Sequence, residues 1–308
     1  MYLFKNTDSN KRYYTYDFYL RRIFGKKGVR ISLDAGMGCP NRDGSCGYGG
    51  CIFCSYRGSH DPEPFEIQYT RQIESQKNKW KHESVYIPYL QTGSNTYCSH
   101  EELKGLCSRA LSLPGAAGLI VATRADCLDR EKAEYLRQLS KEHFLSVELG
   151  MQTVHEDTIK LIGRGYTHER FLEGYRLLDG LNVFLHIIDG LPGENEKMML
   201  ETIRQTALLK PTGVKIHLLH VLKNTPLERL YSDGKLNVLS LDDYTDIVIK
   251  QLRMLPPDTV IARITGDGLP DELISPLWSL KKFNVINQID IKMAKYDLWQ
   301  GDLFPGDD

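Results

Sequence analysis

Short β-branched runs recur along this chain roughly every 25 to 35 residues, with amphipathic helical patterns between them. The runs are "VRISL" (29–33), "SVYIPYL" (84–90), "GLIVAT" (118–123), "FLSVEL" (144–149), "NVFLHIID" (182–189) and "VKIHLLHV" (214–221), with "TVIARI" (259–264) a further candidate. Helical patterns occupy 130–142, 168–180 and 195–210, the last with Met198, Met199, Ile203, Ala207 and Leu208 on one face. A strand that returns parallel to its neighbour needs a crossover of this length, so the spacing predicts a parallel sheet. Six units point to an α/β fold, a partial (β/α)6 TIM-like barrel. The expected division is a basic, aromatic N-terminal extension (1–28), the barrel (29–265) and a C-terminal helical extension packing on it (266–308).

In such a barrel, chemistry collects at the carboxyl ends of the strands. Those ends carry the segments "DAGMGCP", "QTGSNTY", "TRADC", "GMQT", "DGLPGEN" and "KNTP". Past the first strand, "CPNRDGSCGYGGCIFC" packs four cysteines and four glycines into sixteen residues. Seven cysteines, an odd number, do not form a secreted disulfide framework, which leaves metal binding or catalysis. A zinc knot needs four closed thiolates, usually two close pairs, and here Cys51 and Cys54 form the one C-x-x-C pair. An iron–sulfur cubane takes one thiolate per iron, and three thiolates leave one iron open to an amino-acid chelate. Both readings stand on the loop alone.

The loop resembles the cluster loop of radical S-adenosylmethionine (radical SAM) enzymes, in a variant with a long first gap. "FGKKGVRISLDAGMGCPNRDG", "YLQTGSNTY", "ATRADCL", "VELGMQTVHEDTIKLIGRGYT", "HIIDGLPGEN" and "RITGDG" together are similar, in order, to the YhcC/YtqA family of that superfamily. "VELGMQ" and "VKIHLLHVLKNTPLERLY" resemble, more distantly, the radical SAM part of the elongator catalytic subunit. The resemblance implies a barrel of the radical SAM type and a [4Fe–4S] cluster on Cys39, Cys51 and Cys54. It also implies bound S-adenosylmethionine, a 5′-deoxyadenosyl radical, and a flavodoxin- or ferredoxin-type electron donor. Cys46 departs from the family's motif and keeps the four-thiolate zinc reading open.

S-Adenosylmethionine presents a sulfonium, a diol, an adenine and an amino-acid end, and the rim offers a candidate for each. Phe53 precedes the last cysteine; Gln91, Thr92 and Asn95 sit where related enzymes hold the amino group. Thr123 and Asp126 end the third strand, where a carboxylate suits a diol or merely caps a helix. Glu148, in an apolar run, demands a partner, either the cofactor or a cation such as Arg124 or Lys215. Gln152 follows on the rim, and Arg164 resembles the arginine that related enzymes aim at the methionine carboxylate. Asp189, Gly190 and Leu191 lie where the superfamily contacts adenine. Strand alternation turns Lys215 and His217 into the barrel as candidate catalytic residues. The remaining histidines, His60 and His82 among them, show no ligand spacing, and Cys98, Cys107 and Cys127 read as packing residues.

The family implies a tRNA substrate: conversion of 5-carboxymethylaminomethyl-(2-thio)uridine at the wobble position to the 5-aminomethyl form, by C–N cleavage, with a tRNA methyltransferase downstream. Net charge is −1, so any grip on the anticodon arm must be local. Residues 1–30 offer Lys5, Lys11, Arg12, Arg21, Arg22, Lys26, Lys27 and Arg30 interleaved with Tyr13, Tyr14, Tyr16, Phe18 and Tyr19. Such a segment suits RNA, or else tucks its rings into the core. No run of eighteen apolar residues occurs and the start lacks a signal-peptide pattern, so the expected location is the cytoplasm, away from membranes. The competing functions are a radical SAM enzyme for another small molecule or protein, and a zinc-stabilised binding module.

Overall fold

The computed structural model describes residues 4–55, 62–77, 83–266, 268 and 270–305. His60, His82 and the last three residues of the tail lie outside them. Seven parallel strands form one curled sheet in the order β1 (Lys27–Leu33), β2 (Ser84–Leu90), β3 (Leu119–Thr123), β4 (Leu145–Gln152), β5 (Asn182–Asp189), β6 (Gly213–Leu218) and β8 (Val260–Arg263). A small antiparallel pair, β7 (Val221–Leu222) and β9 (Leu273–Ser275), stands apart. Every strand read from the sequence is present, and the seventh candidate closes the series as β8. The sheet is a partial barrel of the radical SAM type.

Helices α2 (Phe65–Lys77), α3 (His100–Leu111), α4 (Arg130–Glu142), α5 (Glu156–Leu161), α6 (His168–Arg176), α7 (Glu196–Leu208), α8 (Pro226–Ser232), α9 (Leu241–Met254) and α10 (Lys282–Lys295) follow β1 in chain order. The strands' outward side chains, such as Leu33, Leu90, Val121, Val147, Leu149, Leu185, Ile187 and Ile216, build the main core under the helices. In α7 the buried stripe is Met199, Thr202, Ile203, Thr206 and Ala207, whereas Leu208 is 61% exposed. The expected face was therefore too wide: a residue one step beyond Ala207 is turned about 100° further round the helix.

The N-terminal segment takes the core alternative. Helix α1 (Tyr16–Phe24) starts at the Thr15 cap, whose hydroxyl accepts the Phe18 N–H at 3.2 Å, and ends at Gly25 with φ 67°. It spans the gap between the two outer strands: Thr15 bridges Ile261 of β8, and Leu20 lies against Gly28 of β1, where a Cβ would come within 2.5 Å of it. Tyr14, Tyr16, Tyr19 and Phe184 form an edge-to-face aromatic group. Leu20, at 1% exposure, packs with Ile87, Tyr89 and Ile120, a burial contributing about 1.5–3 kcal/mol. The rings thus plug the amino end of the barrel, opposite the cysteine loop. Several of the basic residues are engaged within the chain: Lys11 with Asp290, Arg12 with Asp297, Arg21 with Asp17, and Lys26 with Glu83. The rings pack inward, while Arg21 and Lys26 remain half exposed beside their partners.

Candidate active site

The cysteine loop leaves the carboxyl end of β1 and is fastened by its neighbours. Ser94 N–H donates to the Gly38 carbonyl at 2.9 Å. Gly93, at φ 71°, approaches the Met37 carbonyl so closely that a Cβ would sit 2.0 Å from the oxygen. The Ile52 N–H donates to Ile162 and the Ile52 carbonyl accepts from Leu227, both at 3.0 Å, so the loop is stitched to the turn after α5 and to α8. Asn41 donates to the Gly163 carbonyl at 2.5 Å and reaches the Cys51 sulfur at 3.6 Å.

Cys39, Cys51 and Cys54 line one wall of a cavity of about 390 Å³ that runs down into the barrel. Cys46 is outside it, on the far side of the Arg124 guanidinium, whose Nη2 lies 3.6 Å from the Cys46 sulfur and whose Nη1 lies 3.9 Å from that of Cys39. Among the described residues no three His, Cys, Asp or Glu side chains converge on a point where one metal ion would sit. Three thiols on one wall, with Cys46 across the Arg124 guanidinium from Cys39, suit a polynuclear cluster that takes one thiolate per iron. Burial, with Cys54 adding, pushes the Cys51 thiol up to about 11, so binding of iron must displace protons.

Below the cysteines the cavity is lined by Tyr89, Glu148, His186, Lys215, His217 and Arg263. One carboxylate oxygen of Glu148, a residue 2% exposed, accepts from the Tyr89 hydroxyl at 2.5 Å, from His186 Nε2 at 2.9 Å and from the Lys215 ammonium. Arg30 reaches the other oxygen at 3.9 Å. Burial alone would raise the Glu148 pKa, but Lys215, His186 and Arg30 outweigh it and hold the carboxyl well below its usual range. Burial pulls Lys215 down to about 7, opposed by Glu148 and reinforced by Arg30 and Arg263. Burial also keeps His186 and His217 neutral, and their rings stand 5.2 Å apart. The interior therefore brings Arg30, Lys215 and Arg263 against one carboxylate.

The residues expected at the site divide into three groups. Cys39, Cys51, Cys54, Phe53, Gln91, Thr123, Gln152, Lys215 and His217 do line the cavity, Gln152 with φ 61° and Thr123 hydrogen-bonded to Ser94 and Thr96. Lys215 and His217 point inward, as strand alternation required. Glu148 lines it too, but with the protein partner as its answer: its bonds go to Lys215, Tyr89 and His186. The others turn elsewhere. Asp126 is held in a two-point pair with Arg124, at 2.9 and 2.8 Å, and does not line the cavity. Asn95 spends its amide on the Leu90, Thr92 and Ala122 carbonyls and so shapes its own loop, Thr92 included. Arg164, 1% exposed, donates to the Met151, Thr153 and Tyr166 carbonyls; its Nη2 is buried without a partner. Asp189 faces outward to Gln251 of α9, because odd positions of β5 point to the helices. Gly190 turns the chain at φ 82°, and Leu191 is buried in a small cluster against which Phe53 also packs.

Tyr89, His186, Arg263 and Arg30 were missed by the sequence reading. All four are polar residues inside strands. His186, Lys215 and Arg263 are register neighbours across β5, β6 and β8. Applying the inward alternation to every strand would have found Tyr89, His186 and Arg30, whereas Arg263 faces inward only through the register shift between Val214 and Lys215.

Comparisons with known proteins agree with this geometry. Residues 36–206 match the radical SAM superfamily and residues 211–295 the Radical_SAM C-terminal domain. The chain is 41% identical to YtqA of Bacillus subtilis, over 98% of this chain and 95% of that one. It is 30% identical to YhcC of Escherichia coli, over 88% and 89% respectively. The tRNA uridine(34) acetyltransferase of Methanocaldococcus jannaschii is 29% identical over 58% of this chain and 33% of its own. The fold is also that of the archaeal Methanocaldococcus infernus Elp3, at a TM-score of 0.66 and 18% identity, over 89% of this chain and 64% of that one. A cavity wall with three thiols, a matching barrel and matching relatives converge: the chain belongs to the radical SAM superfamily, in the YhcC/YtqA-like family, whose cofactors are a [4Fe–4S] cluster and S-adenosylmethionine.

Proposed function

We propose that this radical SAM enzyme acts on the wobble uridine of tRNA, converting 5-carboxymethylaminomethyl-(2-thio)uridine to 5-aminomethyl-(2-thio)uridine by C–N cleavage. The observation that carries the reading is the barrel interior, where Arg30, Arg263 and the Lys215 amine gather with Glu148 around one cavity. A substrate side chain ending in a carboxylate fits that balance. The named activity of the tRNA uridine(34) acetyltransferase relative supports a wobble uridine as the base that carries it.

In this reading Cys39, Cys51 and Cys54 hold the cluster, and Phe53, Gln91, Thr123 and Gln152 border the S-adenosylmethionine. Arg164, held by three carbonyls behind the cavity wall, braces the backbone at Met151, Thr153 and Tyr166 instead of reaching the cofactor. When bound, the cluster supplies the electron that cleaves S-adenosylmethionine, whose 5′-deoxyadenosyl fragment takes a hydrogen atom from the substrate. Lys215 meets the substrate carboxylate, while Tyr89 and His186 keep Glu148 ionised once the ammonium turns toward it. Loss of that hydrogen atom from the methylene beside the carboxylate, and of one further electron returned to the oxidised cluster, would leave an imine, which water hydrolyses to the aminomethyl uridine and a two-carbon oxo acid. Neutral His217 passes the protons released. The α1 plug closes the far end of the barrel to water. A flavodoxin- or ferredoxin-type protein delivers the electron, and a tRNA methyltransferase takes the aminomethyl product.

The test incubates anaerobically reconstituted protein with S-adenosylmethionine, a reductant and tRNA bearing the carboxymethylaminomethyl group, then analyses nucleosides by mass spectrometry. Aminomethyl uridine formed in step with 5′-deoxyadenosine supports the reading. Deoxyadenosine without any change in the tRNA removes it and leaves a radical SAM enzyme for another substrate.

A further inference from the structure

Each of the three cluster cysteines has a different side-chain donor at its sulfur. Arg124 Nη1 stands 3.9 Å from Cys39 and Asn41 Nδ2 stands 3.6 Å from Cys51, while Arg42 hydrogen-bonds Cys54. Two of the three donors are guanidinium groups, and both line the same cavity as the thiols. Arg124 is fixed from three sides. Asp126 takes its Nε and Nη2, the Tyr166 ring lies 4.8 Å beneath its plane, and Cys46 touches its outer edge. Arg124 and Asp126 are each 13% exposed, so the charge acts through a poorly screening medium. Arg42 is anchored to the Gly49 carbonyl at 3.1 Å and lies nearer solvent.

We propose that the Arg124–Asp126 pair sets the reduction potential of the cluster, Arg124 as its raising element, Asp126 as its counterweight, with Arg42 and Asn41 adding smaller contributions. The argument is electrostatic. Reduction places one more negative charge on the cluster and its thiolates, and a guanidinium at a ligand sulfur stabilises the reduced form more than the oxidised one. Asp126 stands on the far side of that guanidinium and opposes it. Asp126 is thereby a positioning residue that holds Arg124 beside Cys39, and its charge moderates the result. The departure at Cys46 fits the same arrangement: its sulfur packs against the outer edge of the guanidinium instead of joining the ligands. The inference rests on the cluster being present and not on the identity of the substrate.

The experiment is an electron-paramagnetic-resonance redox titration of the reconstituted full chain without S-adenosylmethionine, with iron and sulfide content matched between proteins. Arg124→Gln is expected to lower the equilibrium constant for reduction about tenfold, about 59 mV for a one-electron couple. Asp126→Asn is expected to move it the other way by about threefold or more, and Arg124→Lys to stay within about threefold of the parent. Opposite signs for the two charge-removing variants distinguish an electrostatic role from loosening of the loop, which would shift both in one direction. Shifts of the same sign, or shifts under about twofold in both, overturn the proposal. Should Arg124→Gln fail to hold iron, Arg42→Gln carries the test with Asp126→Asn. Arg42→Gln must lower the constant, by less than tenfold, while Asp126→Asn raises it; an unchanged constant in both overturns the proposal equally.

Discussion

Replacing Asp189 by Asn gives a sharp test of the buried polar chemistry behind β5. Asp189 is 2% exposed and its Oδ1 accepts the Gln251 amide at 2.7 Å. Its Oδ2 and the Gln251 Oε1 are both buried without a partner. Burial, with Glu194 adding and Gln251 opposing, pushes the carboxyl from 3.8 up to about 7. The folded chain thus keeps a proton that the unfolded chain has lost over that window. Stability contributed by the protonated acid is complete at low pH and falls as the pH rises through about 7. The full span corresponds to about 4 kcal/mol, of which about 3 kcal/mol is expressed between pH 5 and pH 8. Asparagine carries the equivalent N–H at every pH and can donate to Gln251. The variant should exceed the parent by about 1–2 kcal/mol at pH 5 and by about 4 kcal/mol at pH 8, so its advantage in melting temperature should grow by about 6 °C between the two at about 2 °C per kcal/mol. Circular-dichroism melts of both proteins at the two pH values measure this, and background titrations, Glu148 and Lys215 among them, cancel in the difference. Parallel curves would refute the assignment of the buried proton to Asp189.

Single alanine replacements of Cys39, Cys51 and Cys54 should each abolish the brown colour and iron content of anaerobically reconstituted protein, whereas Cys46→Ala should keep both. Lys215→Met, which strands the Glu148 carboxylate, should cost about 3–5 kcal/mol in urea unfolding, and adding Glu148→Gln should recover part of that loss. Gly93→Ala drives a Cβ into the Met37 carbonyl at a φ of 71°, so its iron content after reconstitution should fall well below the parent's.

The sheet was legible because parallel strands buried on both faces must be apolar and β-branched, and "SVYIPYL" and "NVFLHIID" coincide with β2 and β5 to the residue. The inward turn of Lys215 and His217 was legible for the same reason, since alternation is a property of the strand and not of its neighbours. Asp126 was not: its partner Arg124 is two residues away, and that pairing depends on the turn geometry after β3. The aromatic N-terminus was ambiguous in principle, because rings suited to bases are equally suited to a hydrophobic plug. What decides between them is the gap between β1 and β8, a tertiary fact. Leu208 and Asp189 show the complementary limit, where one residue of helical or strand phase moves a side chain from one environment to another.

The bridge from Thr15 to Ile261, with the Gln300 side chain accepting the Tyr14 N–H and donating to the Pro256 and Thr259 carbonyls, joins segments as much as 286 residues apart in the order of synthesis. Tyr14 has no final resting place until Gln300 has been made. Shortening the gene from its 3′ end before the codon for Gln300 should therefore release the opening helix from its berth, though the cysteine loop itself remains intact in such a product.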